Sequence, residues 1–140
     1  MSNPTTNLIR SSFELVGPRS AEVIDCFYAG LFAAAPGIRQ MFPADLTSQK
    51  QHLLAAVGLV VKHSDNLDSL AQSLREMGLR HVAYGAKPEH YPVVRDVLIK
   101  SLSAVAGDGW TAAASEAWTE ALNLVAGYML EGAAGARQAA

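Results

Sequence analysis

Residues Arg75–Tyr91 read REMGLRHVAYGAKPEHY, and the placement of one histidine in them decides how the rest of the chain is read. Upstream, Leu67, Leu70, Leu74 and Met77 or Gly78 recur at intervals of three or four, which puts an apolar stripe on one helix face leading into His81. Gly85 and Pro88 then break the chain. His81 is therefore expected late in a short amphipathic helix, with its imidazole directed into whatever the other helices enclose.

The same periodicity extends in both directions. Residues Thr5–Val16 carry Leu8, Ile9, Phe13 and Val16 at helical spacing and stop at Gly17-Pro18. Ser20 can cap a second helix whose core stripe is Val23, Phe27, Leu31 and Ala34, with Tyr28 and Phe32 beside it. Pro36 opens a tight corner holding Ile38, Met41 and Phe42, and Pro43 discourages continuation. Thr47 or Ser48 can cap a third helix, read as nearly all buried above Lys50 and Gln51, and Asp65 or Asn66 opens the segment that leads to His81. Beyond the break, Tyr91, Val94, Leu98, Leu102 and Val105 form a stripe that ends at Gly107-Asp108-Gly109. A last helix starts near Thr111 and presents Trp118, Leu122, Val125 and Met129, and the small-residue tail from about Gly132 is expected to fray. Nothing alternates with period two, so the fold class is all-α, with six or seven helices.

At 140 residues, 1–140 is read as one domain, able to bury a core without disulfides. Only 17% of residues are charged and the formal net charge is −2, which argues against a basic face for nucleic acid. The longest apolar run, Leu53–Val61, falls well short of the roughly 20 residues of a membrane span. MSNPTTNLIR lacks the basic start and apolar core of a secretory signal, so a cytoplasmic location is expected. The single Cys26, in an apolar helical pattern, fits a reducing compartment and a structural thiol.

Phe27–Phe32 (FYAGLF), Pro36, the IRQMF ending at Phe42, and HVAYG at His81–Gly85 followed by His90-Tyr91-Pro92 together resemble the bacterial single-domain globins. These are heme-binding relatives of the globin half of flavohemoglobins and of Vitreoscilla-type bacterial hemoglobin. The match runs from about Ile9 to Met129 with its elements in the family's order, and it implies a globin arrangement around a heme b pocket.

The resemblance implies roles residue by residue. His81 matches the proximal iron ligand, Phe42 the aromatic packed on the porphyrin, and Leu53 the apolar residue over the iron. Tyr28 matches the distal tyrosine whose O–H stabilises bound ligand, and Tyr91 the proximal-side tyrosine. The distal polar position is Gln49 when counted back from His81, and His52 when counted forward from Phe42. Gln49 is favoured because it keeps Leu53 one turn later. His52, His63 and His90 are otherwise read as solvated or locally bonded. The family's last-helix Glu falls on Ala133 here; Glu131 lies two residues away, about 200° around a helix. That departure argues against peroxidase-like chemistry.

The implied function is reversible binding of O2 and other diatomics such as NO and CO, as carrier, store or scavenger, with no catalytic side chain assigned. A nitric oxide dioxygenase is the alternative and requires a separate reductase, since 140 residues hold no flavin or nicotinamide domain beside a globin. A heme-based gas sensor ranks last.

Overall fold

The computed structural model describes residues 4–139, with side chains through residue 135. Six α-helices account for most of them: α1 (Pro4–Val16), α2 (Ser20–Ala34), α3 (Thr47–Lys62), α4 (Ala71–Ala83), α5 (His90–Ala106) and α6 (Ala112–Ala139). Short 3₁₀ turns lie between several of them, and no strand occurs among the described residues.

The core is built around Trp118, which is fully buried. Its indole N–H donates to the Ser12 hydroxyl oxygen at 2.9 Å, and the hydroxyl in turn reaches the Leu8 and Ile9 carbonyls of α1. A buried indole is thereby satisfied without water, as burial of so large an aromatic requires. The Thr6 hydroxyl donates to the Ser64 carbonyl, so α1 also holds the end of α3.

The most extensive helix pair is α4 against α6, and two glycines permit its close approach. A Cβ at Gly78 would lie 1.9 Å from the Met129 carbonyl oxygen, and one at Gly132 would lie 1.9 Å from that of Arg75. The two backbones therefore meet directly at this crossing. Gly132, expected to open a frayed tail, is instead an interhelical contact, and α6 runs on to Ala139.

Other expectations need correction. Neither Ser20, Thr47 nor Ser48 caps its helix by a side chain. Ahead of α3 the carboxylate of Asp45 accepts from both the Thr47 N–H (3.0 Å) and the Thr47 hydroxyl (2.7 Å). These bonds hold the Asp45 carboxyl below its ordinary range. Asn66 precedes a turn at Leu67–Leu70 without a side-chain cap, and α4 begins only after it.

Helix α3 is less buried than its apolar run suggests: only Val57 and Val60 are buried, and Leu59 is exposed. It packs on α1 and α2 and makes at most marginal contact with α4, α5 or α6, so one flank faces away from the main packing. Ala34 is exposed, and Cys26 is an exposed thiol on α2 rather than a core group.

Candidate functional site

Helix α4 ends in a Schellman motif that fixes its last turn. The Gly85 N–H bonds the Val82 carbonyl at 3.1 Å, the Ala86 N–H bonds the His81 carbonyl at 3.0 Å, and Gly85 takes a φ of 91°. A positive φ at this position costs glycine nothing, which explains the break after HVAY. His81 is the residue on which this cap closes.

The His81 side chain is held from two sides. Its Nδ1 lies 2.7 Å from the Met77 carbonyl oxygen, one turn back. A carbonyl can only accept, so Nδ1 carries the hydrogen and the neutral ring keeps its lone pair on Nε2. The exposed Tyr84 ring packs edge-on against the imidazole, centroids 5.4 Å apart. Beside His81 lies an apolar cavity of about 160 Å³ lined by Tyr91, Val94, Leu98, Val125 and Met129. The half-buried His90 borders it too, its Nδ1 accepting the Lys87 N–H at 3.0 Å. His90 is thus locally bonded, one of the two states expected for it, and the main-chain bond leaves the hydrogen on its Nε2.

Among the described residues no carboxylate bonds the His81 ring, whose Nδ1 meets the Met77 carbonyl instead. Glu131 pairs with Arg75 at 3.3 Å, and Arg75 also stacks over Tyr128. Ala133 is buried next to Gly132 in the α4–α6 contact. Tyr91 is half-buried against the core.

A second cluster is built by α2, the corner and α3. The Tyr28 ring meets Phe42 edge-on at 5.8 Å and Phe32 at 5.9 Å, and Phe42 meets Phe32 at 5.6 Å. Tyr28 is buried, and its hydroxyl donates to the main-chain carbonyl of Gln49 at 3.3 Å. Burial raises the phenol pKa above its ordinary value, so the O–H keeps its hydrogen at any physiological pH. Gln49 is half-buried beside Tyr28, Leu53 follows one turn later against the core, and His52 is exposed. A Lys50–Asp25 ion pair at 2.9 Å ties the start of α3 to α2.

The two clusters approach each other at one rim. Met41 of the corner packs on Gly85 of the α4 cap, where an added Cβ would lie 3.9 Å from Met41 Cε. Sequence reasoning missed Arg39, whose guanidinium donates to the carbonyls of Phe42 (3.2 Å), Pro43 (3.0 Å) and Ala44 (3.2 Å). The only signal for it was a single charged residue in the corner Pro36–Phe42.

Comparisons with known proteins bear on this arrangement. A family model described as Globin matches residues 25–129. The flavohemoprotein of Vibrio cholerae is 28% identical over 130 residues, covering 89% of this chain but 32% of that protein. The flavohemoprotein of Bacillus anthracis is 31% identical over 134 residues, covering 90% and 32%. The chain thus spans about a third of the length of the curated relatives it matches. An engineered carbene transferase from Rhodothermus marinus, provisionally named a nitric oxide dioxygenase, superposes with a TM-score of 0.85 at 25% identity, over 99% of this chain and 98% of the other. A bacterial globin from Campylobacter jejuni shares the fold, with a TM-score of 0.83 at 21% identity over 96% and 97% of the two chains.

Proposed function

The chain belongs to the globin family, and from that premise we propose that it holds one heme through His81 and reversibly binds O2 and other diatomic gases. The observation that carries this reading is the His81 imidazole, tied through Nδ1 to the Met77 carbonyl with Nε2 left as the free lone pair. That is the donor a neutral axial ligand must offer. When bound, heme would supply an iron able to take a small diatomic ligand. The chain's one cysteine, Cys26, lies on an exposed face of α2 and has no second cysteine to share a covalent attachment, which supports a b-type heme.

His81 would hold the group, and the partly buried apolar side chains of Phe42 and Leu53 would keep water from it. Tyr91, with the cavity-lining Val94 and Leu98, provides the apolar support behind the histidine. Tyr28 is a buried, neutral O–H donor placed beside Gln49, suited to the partial negative charge of a polar diatomic ligand. Gln49 rather than His52 is the distal polar residue in this reading, because Gln49 adjoins Tyr28 and His52 points to solvent. A carbonyl accepts less strongly than a carboxylate, so the His81–Met77 bond favours ligand binding over splitting of an O–O bond.

Repeated exposure of the reduced protein to O2 and argon tests this function: the oxygenated spectrum should appear and disappear over many cycles. Immediate oxidation in the first cycle would refute a carrier or store.

A second reading, a nitric oxide dioxygenase supplied with electrons by a separate reductase, is supported by the flavohemoprotein relatives and the Rhodothermus marinus neighbour. In NADH, O2 and NO the purified protein should consume NO about once per heme and stop until a reductase is added. Sustained turnover without one would refute the need for a partner.

A further inference from the structure

The stretch from Phe42 to Leu46 leads from the corner into α3 without being helical, and its fixed shape needs an explanation. Phe42 itself is extended, with φ −115° and ψ 150°. Arg39 provides the explanation. Its Nη1 donates to the Phe42 and Pro43 carbonyls and its Nη2 to the Ala44 carbonyl, three successive acceptors gathered by one planar fork. The same guanidinium lies 5.0 Å over the face of Phe32. Phe32, Phe42 and Tyr28 form a triangle of rings with centroids 5.6 to 5.9 Å apart. Arg39 thus grips two corners of that triangle, one by its ring and one by its main chain. Tyr28 is the third.

From this geometry we infer that Arg39 is a positioning residue for the distal side: by locking the corner carbonyls and covering Phe32, it sets where the Tyr28 hydroxyl stands and so tunes release of a polar diatomic ligand. The inference rests on the heme reading above and adds to it a residue that need not touch the ligand. Lysine keeps the charge but offers one compact ammonium, which cannot span three carbonyls and stack on a ring together. Arg39→Lys therefore isolates the fork from the charge.

The test measures O2 and CO release for Arg39→Lys in the native and in the Tyr28→Phe background, with Ser12→Ala as a destabilised control. Ser12 meets Trp118 in the core and no residue of the corner. Arg39→Lys should speed O2 release about threefold or more, part of the roughly tenfold expected for losing the Tyr28 hydroxyl outright, and change CO release much less. In the Tyr28→Phe background the effect on O2 release should nearly vanish, because the residue acts through that hydroxyl. Ser12→Ala should lower stability while leaving both rates unchanged. An equal factor in both backgrounds, or no effect on O2 release, would overturn the inference. Hydrogen exchange of residues 40–46 supplies a readout that needs no heme: Arg39→Lys should speed it in the heme-free chain and Ser12→Ala should not. Unchanged exchange there would also overturn the inference, whereas a native protein that takes up no heme would refute the gas-binding reading while the exchange result still judged Arg39.

Discussion

The Nδ1 of His81 donates to the main-chain carbonyl of Met77 across 2.7 Å, a bond made within a single turn of α4. A helix interior ordinarily spends that carbonyl on the N–H four residues on, and near the C-terminus it can be shared with a side-chain donor. The bond therefore fixes the ring's tautomer without recruiting another element. It depends on α4 ending where it does, at the Gly85 cap, and on α4 being seated on α6 by Gly78 and Gly132.

That seating gives the first prediction. In an open helix, Gly→Ala stabilises by about 0.5–1 kcal/mol. At Gly78 the added methyl would lie 1.9 Å from the Met129 carbonyl oxygen, and rigid backbone cannot yield as a flexible side chain would. Gly78→Ala should cost about 3 kcal/mol or more in urea unfolding, the upper range for overpacking. A stability equal to the native protein would show that the two helices do not cross this closely.

Tyr28 gives the second. Its hydroxyl is buried and parked on the Gln49 carbonyl at 3.3 Å, a long bond that a better acceptor can displace. Tyr28→Phe should speed O2 release roughly tenfold, from loss of about 1.5 kcal/mol, and alter CO release far less. Stopped-flow release of both gases measures this, and equal factors would mean that the ring only packs against Phe32 and Phe42.

The distal register is tested by a pair of substitutions. With His52 exposed and Gln49 beside Tyr28, Gln49→Leu should change O2 release and His52→Ala should leave ligand-free spectra unchanged. A neutral imidazole can bind iron directly, whereas an amide oxygen is a poor ligand for it. A six-coordinate reduced spectrum that becomes five-coordinate only in His52→Ala would assign the distal position to His52.

Acid sensitivity follows from Asp45. Its carboxyl titrates below the ordinary range because Thr47 donates to it twice, through the N–H and through the hydroxyl. A depressed carboxylate contributes stability that is full above the unfolded-state pKa and is lost as pH falls through the lower folded value. Asp45→Asn should therefore weaken the protein at neutral pH and flatten the acid limb of its stability profile. Urea midpoints collected from neutral pH into the acid range test this, and parallel limbs for the two proteins would contradict it.

Most of the helices and the position of His81 were legible because both rest on periodicity and on Gly/Pro punctuation, which a single sequence displays. What was not legible shares one physical character. The cap of α3 comes from Asp45 rather than Thr47 or Ser48, since a short acidic side chain two residues upstream bonds the same main chain. Arg39 works on carbonyls, which carry no residue identity. Gly78 and Gly132 matter only through the backbone facing them, so a stripe of apolar letters passes over the one and a small-residue tail hides the other. The depth of α3 was overread because hydrophobicity says that a face is apolar, not which element covers it.

The central claim is that His81 is the group through which the chain holds heme, and heme titration of the native protein and His81→Ala, followed by reduced and CO-bound absorption spectra, tests it most directly. The native protein should take up one heme per chain and give a five-coordinate reduced spectrum that shifts on adding CO. His81→Ala should bind heme weakly or lose it, and added imidazole should restore the native spectrum by filling the space of the missing ring. An unchanged five-coordinate reduced spectrum in His81→Ala without imidazole would contradict the account.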